Sequence, residues 1–210
     1  MEKNFRISIN KTPAYPTEED EQPFTIEELD IAIGKMKVRK APGPDNIHPE
    51  QIIMLGKSAR RMLLNIFNHS WDNGWTPQSW KSANIIPLLK NGKPKDQVSS
   101  YRPISLTSHI SKLMERMIER RLCWRINEGQ LLCDNQWGFR PERCTEDKPL
   151  LLTQSVINGL GRKEKAVAVA FNFSKPFDNV WRTAVLVKMT QKGIPHRYIK
   201  CIKSLSLIHI

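Results

Sequence analysis

The spacing of apolar residues changes several times along the chain, and each change predicts an element. Thr25 and Glu28 form a capping box, and Phe24 can staple onto Leu29, so a helix starts there. Ile26, Leu29, Ile33 and Met36 recur at helical spacing and give that helix one apolar face. It ends in a basic cluster of Lys35, Lys37, Arg39 and Lys40. Ala41 to Glu50 contains Pro42, Gly43, Pro44 and Pro49, which forbids regular structure until Pro49 opens a short second helix. A third helix is predicted over Ser58 to Ser70, with Met62, Leu63, Ile66 and Phe67 toward the core.

The pattern then becomes extended. Ala83 to Leu89 predicts a strand, Asn91-Gly92 a turn, and Ser100 to Ser108 an extended partner in which Pro103 forbids helix. Ser108 caps the longest predicted helix, His109 to Asn127. Its apolar stripe is Ile110, Leu113, Met114, Met117, Ile118, Leu122 and Ile126, and Arg116, Arg120, Arg121 and Arg125 make its other face basic. A loop around Gly138 and Pro141 follows, then a helix from Thr145 to about Gly159. Ala166 to Phe171 has no charge and reads as a strand buried on both faces, and Asp178 caps a last helix ending near Gly193. Helices segregated from a short antiparallel strand pair make the fold class α+β.

Charge narrows the class of partner. The 210 residues carry a net charge of +12, which favours a polyanion, with nucleic acid ahead of an anionic membrane surface. No apolar run reaches membrane-spanning length, and the first ten residues have no signal-peptide core. Cys123, Cys133, Cys144 and Cys201 form no C-x-x-C pair and complete no zinc pattern, so they read as reduced thiols of an intracellular protein.

Five motifs occur in one order: KAPGPDNI, WKSANIIPLLKNGK, SYRPISL, QWGFRPERCTED and AVAFNFSKPFDNVW. Together they resemble the reverse transcriptase of non-LTR (LINE-type) retrotransposons, the jockey-like elements of arthropods above all. The resemblance covers Phe24 to Ser204 and implies a truncated right-hand polymerase. Residues 24–160 would form the mostly helical fingers and 161–204 the start of the palm, behind a polar arm over 1–23. It implies RNA-templated DNA synthesis on a DNA primer from dNTPs with Mg²⁺, inside the cell and in the nucleus of an active element. In that reaction a primer 3′-hydroxyl attacks the α-phosphate of the dNTP.

The resemblance also assigns residues. Arg102 matches the arginine that grips the incoming triphosphate, a task suited to a planar, bidentate guanidinium. Lys90 and Lys93 flank the adjacent turn and are within reach of the same phosphates. Phe177 matches the aromatic that blocks a ribose 2′-hydroxyl. Lys35, Lys37, Arg39 and Lys40 match the element that meets the template backbone, and Arg140 and Arg143 belong with the nucleic-acid contacts. Asn46 stands where the family has a second loop glycine and tolerates left-handed geometry better than most residues. Cys144 stands where a serine is usual and reads as a small packing residue.

One departure bears on catalysis. Mg²⁺ is a hard cation held mainly by carboxylates. The palm's first metal-binding aspartate opens a stretch that commonly reads D-F-S-K-A-F-D, and here that stretch is Asn172 to Asp178, with Asn172 at the aspartate's place and Pro176 at the alanine's. An amide oxygen carries no charge, so the loss in rate is on the order of a thousandfold or more. Asp178 lies beyond the turn and reads as a helix cap. No intact metal site is therefore expected, and the chain is expected to be inactive or a non-catalytic basic nucleic-acid-binding remnant. Leu205 to Ile210 resembles the in-frame translation of a sequencing-library adapter, with a genuine apolar strand as the alternative, and is left out of the fold reasoning.

Overall fold

The computed structural model describes residues 22–140, 143–144, 146–173 and 179–206. They form two compact units: one runs to Trp124 and resumes at Arg182, the other is Arg125–Trp181. This division does not follow the expected boundary between residues 160 and 161.

In the first unit α1 spans Ile26–Gly34, α2 Pro49–Ile53 and α3 Lys57–Asn73. The capping box at α1 is complete: the Glu28 N–H donates to Thr25 Oγ1 at 3.3 Å, and the Thr25 N–H donates to Glu28 Oε2 at 2.9 Å. Two strands follow, β1 (Ala83–Leu89) and β2 (Tyr101–Thr107), paired antiparallel with Ala83 opposite Thr107 and Leu89 opposite Tyr101. Ser108 Oγ accepts from the N–H groups of Ile110 and Ser111 and starts α4, His109–Glu128. The α+β class thus holds, with a two-stranded antiparallel sheet.

The core of this unit sits between α1, α3, α4 and α7 (His196–Leu205), while α6 (Arg182–Gln191) packs on α7 and buries no residue of its own. Leu29 and Ile33, Leu63 and Phe67, Leu113, Met114, Met117 and Ile118 are all buried, as the α1 and α4 stripes predict. The α3 face needs correction. Met62 and Ile66 are 69% and 48% exposed, and the buried positions are Leu63, Phe67, Ser70 and Trp71. The cause is α7, a helix beyond those the apolar pattern predicts. Tyr198 meets the Trp71 ring at 4.8 Å edge-on, and Thr76 Oγ1 lies 2.7 Å from Ser204 Oγ. A helix packed at the C-terminal end of α3 turns that end inward, one position on from the predicted face. Gly74 closes α3 at φ +60°, where a Cβ would clash with the Lys200 Cβ.

In the second unit α5 spans Asp147–Gly161, starting later and ending later than predicted. The predicted strand at Ala166–Phe171 is a correction: this stretch has no regular structure, and Val167, Val169 and Phe171 are 88%, 70% and 84% exposed. A strand needs a ladder partner. Among the described residues the one sheet is β1 with β2, so apolar sequence alone does not make this segment a strand. Thr145 and Asp178, expected as caps, lie outside the described residues. Leu205, where the adapter-like tail was expected to begin, is the last residue of α7, and residues 207–210 lie outside the described residues.

Candidate nucleic-acid interface

The basic cluster after α1 is held in place by the proline-rich loop behind it. Arg39 and Asn46 both take left-handed backbone, at φ +56° and +53°, as expected for Asn46. The Asn46 N–H returns to the Gly43 carbonyl, and the Ile47 N–H to Asp45 Oδ1. Gly43 lies against the end of β2: a Cβ there would fall 2.6 Å from the Ser108 nitrogen and the Thr107 carbonyl carbon. Only glycine lets the two backbones come this close. Alongside, the buried His109 ring places Nε2 3.0 Å from the Ala41 carbonyl. A carbonyl only accepts, so Nε2 carries the proton. Gly43 and His109 together dock the loop onto the β2–α4 junction.

That docking creates an open cleft of about 350 Å³. Lys37, Lys40, Lys112 and Arg116 supply its charge, and Met36, Ile104, Leu106 and Leu113 its apolar surface. Among the described residues no carboxylate lines it. Arg116 also donates to the Ala32 carbonyl near the end of α1 at 3.2 Å. On its other side Arg116 borders a second cleft of about 320 Å³ between α1 and α4, where Lys35 and Arg120 are balanced by Glu28 and Glu119. Arg39 lies outside both clefts; its N–H donates to Glu50 and holds that carboxyl below its usual range. Lys112 and Arg116, four apart on one face of α4, complete the cleft; the basic face predicted for this helix includes Arg116 and not Lys112.

The hairpin positions the next set. The Lys90 N–H continues the ladder to the Ser100 carbonyl at 2.8 Å, and its Nζ donates to the Ser99 carbonyl at 2.7 Å. The Lys90 ammonium therefore staples the hairpin. Lys93 is exposed, with its N–H closing the turn on the Lys90 carbonyl. Arg102 stands opposite Leu88, so strand alternation puts it on the same face as Lys90. It is also exposed.

The remaining predicted residues belong to the second unit. Arg140 donates to the Cys133 carbonyl at 3.2 Å. Arg143 donates to the Asp134 and Gln136 carbonyls and lies over the Trp137 ring at 4.9 Å. Both guanidinium groups brace their own loop. Asn172 is exposed in the irregular segment after α5, and Phe177 lies outside the described residues. Among the described residues no group of three or more His, Cys, Asp or Glu side chains is placed to hold a metal. A neutral amide is a poor ligand for a hard divalent cation, so Asn172 does not by itself fit one.

The model of the reverse transcriptase (RNA-dependent DNA polymerase) family matches residues 90–208. This chain belongs to the reverse transcriptase family. The match begins at Lys90 and takes in the YRPISL strand, α4 and everything up to α7. "Probable RNA-directed DNA polymerase from transposon BS" of Drosophila melanogaster is 35% identical over 183 residues, 87% of this chain and 20% of that protein. "RNA-directed DNA polymerase from mobile element jockey" is 34% identical over 175 residues in Drosophila melanogaster and 32% over 166 residues in Drosophila funebris. Those two alignments cover 83% and 79% of this chain and 19% and 18% of the jockey proteins. The chain spans about a fifth of the length of these relatives. The relatives it resembles are thus RNA-directed DNA polymerases of transposable elements, jockey among them. No described helix is long and apolar enough to cross a membrane.

Proposed function

We propose that this chain serves the RNA-directed DNA polymerase of a jockey-like mobile element by gripping the template backbone, and that Asn172 leaves it without productive metal binding of its own. The carboxylate-free cleft of Lys37, Lys40, Lys112 and Arg116 carries this reading. Four cations gathered without a counter-charge repel one another, and a polyanion relieves that repulsion. The apolar patch between them suits sugar and base edges. Arg102 and Lys93, exposed at the end of the hairpin, supply guanidinium and ammonium groups for the triphosphate of a dNTP. Lys90 acts one step back, by fixing the turn that carries Lys93. In an active element this work takes place on RNA template and DNA primer in the nucleus. Without a carboxylate at residue 172, a non-catalytic nucleic-acid-binding remnant is the second reading.

The test is the salt dependence of binding to a fluorescent single-stranded RNA, followed by anisotropy. Affinity is expected to fall linearly on a log–log plot against salt, with a slope of roughly −0.7 per phosphate contacted. Replacing Lys37, Lys40 and Lys112 by Gln is expected to flatten the slope by about two to three contacts' worth. An unchanged slope refutes the cleft as the site. Primer extension on an RNA template with Mg²⁺ and dNTPs is expected to stay at background, and extension above background overturns the proposal for Asn172. The same variant separates the two readings in a full-length relative, where Asn at this position is expected to abolish most synthesis and Asp to restore it.

A further inference from the structure

An acidic run stands just before the first unit of a chain whose net charge is +12. It is Glu18-Glu19-Asp20-Glu21, which lies outside the described residues and leads directly into Gln22. The point where it joins the fold is fixed. Arg121 Nη1 donates to the Gln22 carbonyl at 2.6 Å and Nη2 to the Pro23 carbonyl at 2.9 Å. Asn68 holds both backbone groups of Phe24, accepting from its N–H at 2.6 Å and donating to its carbonyl at 3.0 Å. The run is thus tethered to α4 beside the cleft of about 320 Å³ between α1 and α4. Glu28 links the two, since it lines that cleft and holds Arg121. The bidentate pair neutralises Glu28. Among the described residues the cleft is left with Lys35, Arg116 and Arg120 against the one carboxylate of Glu119. Ile31, 42% exposed, and the exposed Cys123 thiol lie among them.

We propose that Glu18-Glu19-Asp20-Glu21 docks in the α1–α4 cleft against Lys35, Arg116 and Arg120, and so competes with nucleic acid for the basic side of α4. This rests on the nucleic-acid-binding reading above and adds a regulator of it that the chain itself carries. The reach is sufficient. Four extended residues span about 13 Å, and Arg116 lies five residues from Arg121, about 8 Å along the α4 axis. The tether at Gln22 holds the run at a local concentration in the range of millimolar, where weak ion pairs with lysine and arginine suffice. Arg116 couples the two sites, because it borders both clefts. Carboxylates held beside it lower the potential that Lys37, Lys40 and Lys112 offer to phosphate, within a Debye length of about 10 Å at 0.1 M salt. A dense polyanion displaces the run and a sparse one does not.

The whole chain is compared with a neutral-arm variant, Glu18→Gln, Glu19→Gln, Asp20→Asn and Glu21→Gln together. The first readout needs no RNA. Cys123 lines the proposed docking site, and Cys133 and Cys144 are exposed thiols outside it. Carboxylates beside a thiol disfavour its reactive thiolate. Neutralising the arm is therefore expected to speed iodoacetamide labelling of Cys123 roughly threefold at low salt, with Cys133 and Cys144 unchanged, as mass spectrometry reads them. In 0.5 M salt, roughly, the difference is expected to vanish. The second readout is affinity for a fluorescent single-stranded RNA. The neutral arm is expected to raise it roughly threefold to tenfold, and to raise it less than twofold in a chain that also carries Lys35→Gln and Arg120→Gln, where the arm has lost its seat. A mere change in net charge gives the same gain in both backgrounds. Equal gains, or a Cys123 labelling rate that does not respond to the arm, overturn the inference and leave the basic cleft intact. Absence of salt-dependent RNA binding by the parent chain is the separate failure, that of the cleft, and labelling of Cys123 still decides whether the arm docks.

Discussion

Arg121 is the residue whose removal tests most of the first unit at once. Its Nε and Nη2 donate to Glu28 Oε1 and Oε2 at 2.7 and 2.6 Å, a bidentate pair. Nη1 and Nη2 also donate to the Gln22 and Pro23 carbonyls at 2.6 and 2.9 Å, and the guanidinium lies 4.4 Å from the Phe24 ring centroid. One side chain thus ties α4 to the start of α1 and to the segment before it. The side chains of Arg121 and Glu28 are only 15% and 23% exposed. Breaking a fully buried pair costs about 3–5 kcal/mol, while an exposed pair is worth about 1 kcal/mol or less. For Arg121→Met, which keeps most of the packing, partial access of water to the stranded Glu28 sets the loss at about 2–3 kcal/mol. Urea unfolding followed by tryptophan fluorescence reads it, since Trp71 lies 5.0 Å from Phe24. Glu28→Gln keeps an acceptor for the Thr25 cap but removes the charge, so a cycle with Arg121→Met isolates the pair, at about 1–2 kcal/mol of coupling. The pH dependence has a fixed sign. Burial pushes the Glu28 carboxyl up, but the hydrogen bonds from Arg121 and Thr25 and the charges of Arg121 and Arg120 outweigh it and hold it below the usual 4.5. A depressed carboxyl stabilises above its unfolded value, and that stability is lost as pH falls through the folded one. Wild type is therefore expected to lose stability below about pH 4.5 more steeply than Arg121→Met. A loss under about 0.5 kcal/mol in Arg121→Met, or an additive cycle, refutes the reasoning.

Gly43→Ala is expected to cost about 2 kcal/mol or more and to weaken RNA binding, because its Cβ would sit 2.6 Å from two backbone atoms of the β2–α4 junction; urea denaturation and anisotropy read both effects. Burial pushes the Cys201 thiol up to about 11, so a thiol reagent at neutral pH is expected to label the exposed Cys123, Cys133 and Cys144 first and Cys201 only on unfolding. Brief trypsin treatment is expected to cut first at Arg162, Lys163 or Lys165, where α5 ends and the exposed segment begins, with mass spectrometry identifying the ends. A chain stopped at Gly159 also lacks α7, which covers Trp71, so it is expected to be less stable than the chain through Ser206.

The elements that the sequence revealed are those whose signals are local. The Thr25–Glu28 box, the Asn91-Gly92 turn between two extended runs, and Ser108 ahead of a long apolar stripe each satisfy their own backbone groups within a few residues, and each is found where the pattern puts it. What failed depends on partners far away in sequence. The buried face of α3 is set by a helix more than a hundred residues on, seen in the Thr76–Ser204 contact, and periodicity cannot separate Met62 from Leu63 without that helix. Ala166–Phe171 failed for the complementary reason. An apolar run states that burial is wanted, but the ladder that makes it a strand belongs to a neighbour.

The candidate site divides along the same line. Lys37 and Lys40 were legible as a basic run, yet a run of charge does not say whether it is a solvated surface or a site. What distinguishes the two is the absence of carboxylates around it among the described residues and the arrival of Lys112 and Arg116 from α4. Gly43 brings that about: it lets the loop lie on the Thr107–Ser108 backbone, and its role follows from a distance rather than a composition. The arginines show the converse. Four of them along α4 look equivalent in sequence, but the fold gives Arg121 to Glu28 and Arg116 to the Ala32 carbonyl at the rim of the basic cleft. A guanidinium saturated by its own protein contributes stability, whereas one facing other cations is available to phosphate. Binding by this chain should therefore respond to Lys37, Lys40 and Lys112 and scarcely to Arg121, although Arg121→Met is the more damaging change to the fold. A salt slope that fell with Arg121→Met in a still-folded chain would place the nucleic acid on the other side of α4 and remove the basis for assigning it to the cleft.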